Sequence, residues 1–258
     1  MSVDFPSDHS SPPAPDPWSG LRAFTAARIA LGRVGTSVPL QEALAFRLAH
    51  ADARDAVYSA LEVEKLTTGL AQLPVPVYVV RSQAENRPQY LQRPDLGRRL
   101  HPASRELLLG HSLAPFDVAV ILADGLSAAA VQQHALPVLE LLLPKLEAAG
   151  FRLAPVVVAE QARVAISDEI GQVLQAQLAL ILIGERPGLS SPHSLGAYFT
   201  YGPRPGLTDE ARNCVSNIRP EGLGYALAAD KLFFLLQEAL RRQLSGVMLK
   251  DEMGLLDA

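Results

Sequence analysis

The apolar positions change period along the chain, and the change divides it. From Trp18 onward Leu21, Phe24, Ala27 and Leu31 keep helical spacing while Arg22 and Arg28 lie off that line, and Gly32 and Gly35 then supply a stop. The spacing predicts a first helix over 19–31. Pro39 suits a first helical turn, and Leu40, Leu44, Leu48 and Ala51 mark a second apolar stripe with the charges largely elsewhere. Val63, Leu66, Leu70 and Leu73 predict a third, shorter helix. Residues 18–74 therefore read as a small N-terminal helical domain, too small to stand comfortably alone.

Beyond Pro74 the pattern becomes short β-rich runs: VPVYVV (75–80), FDVAVILAD (116–124), APVVVAE (154–160), LALILIGE (178–185) and AYFTYG (197–202). Their continuous apolarity is what strands covered on both faces require. Helical patterns lie between them: SRELLLG (104–110), a leucine-rich stretch 127–149 with Ser127 as N-cap, SDEIGQVLQ (167–175) opened by Ser167, and 226–244. Pro137 and Pro144 predict that 127–149 is kinked or divided. Strand–helix alternation predicts an α/β fold with a doubly wound, mostly parallel sheet over 75–258.

Composition narrows the function classes. The 258 residues are 48% hydrophobic and 19% charged, the balance of an ordinary globule. Residues 1–17 hold five prolines, four serines and three aspartates, and are expected to form a disordered tail. A net charge of -4 offers no broad cationic field, so nucleic acid is not an expected partner. One cysteine, Cys214, excludes an internal disulfide, and six histidines without CxxC or HExxH carry no zinc signature. The first basic residue is Arg22, and no apolar stretch reaches the roughly 18 residues of a membrane span, so a cytoplasmic location is expected.

In an open parallel sheet ligands sit beyond the carboxyl ends of strands, which directs attention to the loops after Ala123, Ala159 and Ile183. The last, G-E-R-P-G-L (184–189), puts the carboxylate of Glu185 at a strand end; the plain alternative is a turn with a Glu185–Arg186 surface pair. Asp124-Gly125 could meet a ligand hydroxyl or amine, or be only a tight turn. Asp168 and Glu169 fit a helix start, where capping alone accounts for them. The arginines of R-P-D-L-G-R-R-L (93–100) could grip phosphate or carboxylates, with a solvated face as the default.

Two motifs mislead. G-H-S-L-A (110–114) has the look of a nucleophile elbow around Ser112, yet Pro115 and a strand-like run follow where a helix is required. H-S-L-G (193–196) matches the tail of a cobalamin-binding D-x-H-x-x-G signature, but Ser191 stands where the Asp should orient His193, which makes a poor metal ligand. No G-x-G-x-x-G joins a strand to a helix, and Cys214 is expected to be a buried small hydrophobe. Spacing alone thus yields an α/β binding scaffold with no catalytic residue and no metal site of its own.

Seven ordered segments carry a resemblance: F-T-A-A-R-I-A-L-G-R-V-G (24–35), L-A-H-A-D-A-R-D-A-V (48–57), R-P-D-L-G-R-R-L (93–100), A-D-G-L-S-A (123–128), R-V-A-I-S-D-E-I (163–170), I-G-E-R-P-G-L (183–189) and C-V-S-N-I-R (214–219). Over residues 17–250 the chain resembles the small subunit of ethanolamine ammonia-lyase, an adenosylcobalamin-dependent enzyme that converts ethanolamine to acetaldehyde and ammonia by radical chemistry. The resemblance implies a Rossmann-like C-terminal domain and a large TIM-barrel subunit as partner, with several such pairs in a hetero-oligomer. It implies that cobalamin (coenzyme B12) lies between the two chains, keeps its own benzimidazole as lower ligand, and touches this one at Val164, Glu185 and Cys214. It also makes residues 1–17 a candidate leader for a bacterial microcompartment. The rival classes are a serine hydrolase using Ser112 and a cytosolic α/β small-molecule-binding or assembly module without catalysis.

Overall fold

A computed structural model describes residues 16–111 and 115–253, so the expectations for the N-terminal tail, Asp16 and Pro17 apart, and for Ser112 lie outside the described residues. Six strands form one sheet: β1 (Val77–Arg81), β2 (Phe116–Ala123), β3 (Val156–Glu160), β4 (Ala176–Gly184), β5 (Leu195–Tyr201) and β6 (Asn213–Ile218). Their order across the sheet is β1-β3-β2-β4-β5-β6. The first four are parallel; β5 runs antiparallel to β4, and β6 antiparallel to β5. The mostly parallel α/β sheet is therefore as the alternation predicts, with a reversed edge. The sequence reading omits β6 because only Val215 and Ile218 of its six residues are buried, which leaves no apolar run to notice.

Alternate residues of each central strand face different covers. Val118, Val120 and Leu122 of β2 join Val156, Val158, Leu178, Leu180 and Leu182 under α5 (Ala128–Ala148), α7 (Tyr225–Arg242) and α2 (Val63–Leu70). Ala119, Ile121 and Ala123 join Val157, Ala159, Ala179, Ile181 and Ile183 under α4 (Pro102–Leu109) and α6 (Ile166–Val173). Both faces are covered, and each buried Val, Leu or Ile side chain contributes about 1.5–3 kcal/mol by leaving water, each alanine methyl under about 1 kcal/mol.

Of the two alternatives for 127–149, division at the prolines does not occur. The stretch 127–149 is one helix, with Pro137 and Pro144 inside it. The carbonyls those prolines leave without donors belong to Gln133 and Glu140, both exposed residues, so the two lost bonds fall on the solvent side of the helix. Ser127 does cap this helix, accepting from the Ala130 amide at 3.4 Å. Ser167, in contrast, is no cap: α6 begins at Ile166, and the Ser167 hydroxyl donates back to the Val164 carbonyl at 2.8 Å. A helix also exists where none was expected, α3 (Arg87–Gln92), started by Asn86, whose side chain accepts from the Gln89 amide at 3.0 Å.

The chain divides into two compact units, Met1–Ala53 with Gly188–Ser190, and Arg54–Pro187 with Ser191–Ala258. The sheet-bearing unit thus starts at Arg54 rather than at 75, because Leu66 and Leu70 of α2 are part of its core. In the smaller unit the expected first helix is absent: a 3-10 turn spans Ser19–Phe24 with no buried residue, and Ala30 (φ 51°) and Gly32 (φ 72°) turn the chain left-handed where the helix would continue. α1 (Leu40–Tyr58) follows. Trp18, Phe24, Leu40 and Leu48 are 66%, 86%, 74% and 63% exposed, so among the described residues nothing covers them. Among the described residues no helix is long and apolar enough to cross a membrane.

Candidate functional site

The carboxyl ends of β3, β2 and β4 stand side by side, and the helices that follow β2 and β3 leave to opposite faces of the sheet. That divergence opens a crevice. A cavity of about 390 Å³ occupies it, lined by Gly125 and Leu126 after β2, Arg163 and Val164 after β3, and Ile183, Gly184, Glu185 and Arg186 at the end of β4, with Tyr90 and Tyr198 completing the wall. The three loops are those the strand ends pointed to.

Two glycines allow the loops to meet. The Leu126 amide donates to the Gly184 carbonyl at 2.9 Å. A Cβ on Gly125, whose φ is 55°, would collide with that carbonyl, and one on Gly184 would collide with the carbonyl of Ser127. Only hydrogens fit between these segments.

Asp124, at the end of β2, is 2% exposed and reaches no ligand space. Its carboxylate accepts from the backbone amides of Gly125 (3.0 Å), Gln161 (3.0 Å) and Ala162 (2.9 Å), tying the β2 and β3 loops together. The Arg87 guanidinium donates to it at 3.4 Å and also to the carbonyls of Gly125 (2.8 Å) and Val57 (2.7 Å). Burial pushes the Asp124 carboxyl up to about 6 against the pull of those amides and of Arg87. The Asp-Gly pair is therefore a structural knot beneath the cavity.

Glu185 is half-buried at the rim. Its amide donates to the Ser194 carbonyl at 3.0 Å. Its Oε2 accepts from the Ser194 hydroxyl and from the Asn217 amide at 3.3 Å, and among the described residues no protein donor claims Oε1. Gly196 leaves room for the side chain, since a Cβ there would lie 3.0 Å from both Cγ and Oε1. A carboxylate held by one oxygen with the other spare is an acceptor awaiting an N–H or O–H.

Val164 and Glu185 line the same cavity, from the loops after β3 and β4 on either side of β2. The Val164 carbonyl is taken by the Ser167 amide (3.1 Å) and hydroxyl, so the residue offers the site its apolar side chain rather than its oxygen. Cys214 is not part of the lining. It lies on β6 opposite Tyr198, which is, and it is exposed rather than buried as the sequence suggested, because β6 is the sheet edge. Crowding by packed atoms pushes its thiol up, the Tyr198 hydroxyl pulls it down, and the Glu185 charge adds to the rise.

Sequence reasoning missed Tyr90, Arg163 and Tyr198. Tyr90 is buried between two guanidinium groups, with the carbons of Arg87 and Arg163 at 4.6 and 4.2 Å from its ring centre, and its hydroxyl donates to the Ala162 carbonyl at 3.2 Å. The pairing of Asn86 as cap with Pro88 in the first turn was the available signal for the helix that carries it. Gly97 of the arginine motif packs on this stack: a Cβ there would lie 2.9 Å from Arg163 Cγ and 3.1 Å from the Tyr90 ring. The other expected helix-start carboxylates serve tertiary contacts, Asp168 pairing with Arg212 and Glu169 accepting from the Leu100 amide at 2.9 Å. His193 turns its carbonyl, not its ring, into a defined bond, with His134 Nε2 at 2.9 Å.

The family model "Ethanolamine ammonia-lyase light chain (EutC)" matches residues 15–250. The ethanolamine ammonia-lyase small subunit of Azotobacter vinelandii is 56% identical over 246 residues, covering 94% of this chain and 91% of that one. Those of Pseudomonas aeruginosa strain PAO1 (55% over 242 residues, 93% and 89% covered) and Ralstonia nicotianae (53% over 248 residues, 94% and 92% covered) are similar to the same extent. The chain belongs to the family of ethanolamine ammonia-lyase small subunits.

Proposed function

We propose that this subunit holds one side of adenosylcobalamin in the crevice at the ends of β2, β3 and β4, and that the large subunit of ethanolamine ammonia-lyase covers the other side and binds ethanolamine. The observation that carries the reading is Glu185: a fixed carboxylate with one unclaimed oxygen, beside an open cavity. A corrin carries amide arms that need acceptors and donors around a flat, largely apolar ring. The residues fit. Leu126, Val164 and Ile183 give an apolar bed, Glu185 accepts from an amide N–H, and Arg163 and Arg186 donate to amide carbonyls.

The cavity's size supports a shared site. About 390 Å³ is at the low end of what encloses a drug-sized ligand, and a cobalamin is several times larger, so most of it must be covered by another surface. The smaller unit of this chain exposes Trp18, Phe24, Leu40 and Leu48, which is apolar area suited to a permanent partner. Several large–small pairs then make the hetero-oligomer.

When bound, the cofactor supplies the radical chemistry that takes ethanolamine to acetaldehyde and ammonia. This chain's residues orient the corrin edge and keep water from it; none of them is assigned a catalytic step or a cobalt bond, the cofactor keeping its own benzimidazole. Residues 1–17 act as a leader for enclosure in a microcompartment, and their removal leaves turnover in solution intact. The test is co-expression with the large subunit and a visible absorption spectrum of the purified complex. Loss of corrin absorbance in Glu185→Ala, with the two chains still together, is the expected result; full retention would remove Glu185 from the site.

A further inference from the structure

The crevice is strapped from behind by a buried histidine. His134, on α5, is 6% exposed. Its Nδ1 lies 2.8 Å from the Tyr225 hydroxyl at the start of α7, and its Nε2 lies 2.9 Å from the His193 carbonyl. A carbonyl only accepts, so Nε2 carries the proton; Nδ1 is then the acceptor, and the Tyr225 hydroxyl donates to it. Burial pulls the imidazole below its ordinary range, which favours this neutral tautomer.

The strap ends one residue short of the site. Ser194, next to His193, donates through its hydroxyl to Glu185 Oε2 and accepts the Glu185 amide at 3.0 Å. A second tie holds the same segment, from the Ser127 hydroxyl to the Pro192 carbonyl at 3.1 Å. Tyr225, His134, His193, Ser194 and Glu185 therefore form one directed line of bonds from the first turn of α7 to the rim carboxylate. Burial obliges both ring nitrogens of any core histidine to find partners; what sets His134 apart is that one partner is the backbone next to the residue that holds Glu185.

We infer that His134, backed by Tyr225, is a positioning residue that fixes the 192–194 segment and through it sets where Glu185 presents its free oxygen to a cobalamin amide. The inference rests on the proposed crevice function. Its test measures the adenosylcobalamin dissociation constant of the two-chain complex by equilibrium dialysis, with urea unfolding of each variant alongside. His134→Ala is expected to weaken binding about tenfold, and Tyr225→Phe about threefold, roughly what one or part of one hydrogen bond is worth. His134→Gln, whose amide can still donate to the His193 carbonyl and accept from Tyr225, restores affinity. In a variant lacking Glu185, adding His134→Ala costs nothing further, because the histidine acts through that carboxylate. Wild-type affinity in folded His134→Ala or Tyr225→Phe complexes, while Glu185→Ala binds weakly, overturns the positioning role alone. Wild-type affinity in Glu185→Ala overturns the crevice reading, and this inference with it.

Discussion

Asp168 on α6 and Arg212 at the foot of β6 form an ion pair sealed from water, their side chains 1% and 3% exposed. Arg212 also donates to the Leu207 carbonyl at 3.2 Å and to Asp209 at 2.9 Å, so it fastens the reversed edge of the sheet to a helix of the parallel part. Taking one partner away leaves the other buried and charged. Arg212→Met should cost about 3–5 kcal/mol in urea unfolding, and Asp168→Leu with Arg212→Met should recover most of it. A double variant no better than the single one would show that Asp168 has a task besides pairing.

The Asp124 knot gives a pH signature. Its carboxyl sits at about 6 in the folded chain, against ~3.9 when unfolded. Between those values the unfolded chain releases its proton first, so the group's contribution to stability is full below about pH 4 and is lost as pH rises through 6. Asp124→Asn removes that dependence, visible as a flatter stability profile between the two values. At pH 7 the same variant is expected to lose about 3 kcal/mol, since an NH2 group then faces Arg87 and three backbone amides.

Gly184→Ala tests the contact between the β2 and β4 loops. The added methyl meets the backbone carbonyl of Ser127, which cannot swing aside as a side chain would. A loss of about 3 kcal/mol is expected from the resulting backbone shift. Gly150→Ala is the control: its φ of 82° strains any side chain, but nothing lies within 4 Å, so only about 1–2 kcal/mol should go. Equal losses in the two variants would mean that the loop contact is softer than the geometry requires.

Cys214 should be reachable but slow. Packing around it holds the thiol up, so an aromatic disulfide reagent at pH 8 is expected to react more slowly than with free cysteine and to accelerate as the pH rises. The Tyr198 hydroxyl opposes that rise, so Tyr198→Phe slows the reaction further. A faster reaction in Tyr198→Phe would show that the ring shields the sulfur more than its hydroxyl helps the thiolate.

What could be read from the residues follows from how each segment is buried. β2, β3 and β4 stand out because both of their faces are covered, so their apolar runs are unbroken and their ends mark the crevice. Glu185 was legible as a charge placed directly at such an end. β6 was hidden because an edge strand buries one face, and Cys214 was misjudged for the same reason. Leu21 and Phe24 keep helical spacing yet make no long helix, since periodicity reports a face to be covered without saying which molecule covers it. Tyr90 escaped notice because a six-residue helix is too short to show a period.

The reversal of β5 against β4 lets the chain leave the sheet at Gly184 and re-enter it at Leu195 on the same rim. The segment between Glu185 and Ser194 therefore has both feet beside one opening, clasped by the 3.0 Å bond from the first amide to the last carbonyl. The Ser127 hydroxyl fixes the returning foot as well, through the Pro192 carbonyl. A substitution between those two feet therefore acts first on the lip of the opening, and on the sheet beneath only through bonds that end at its rim.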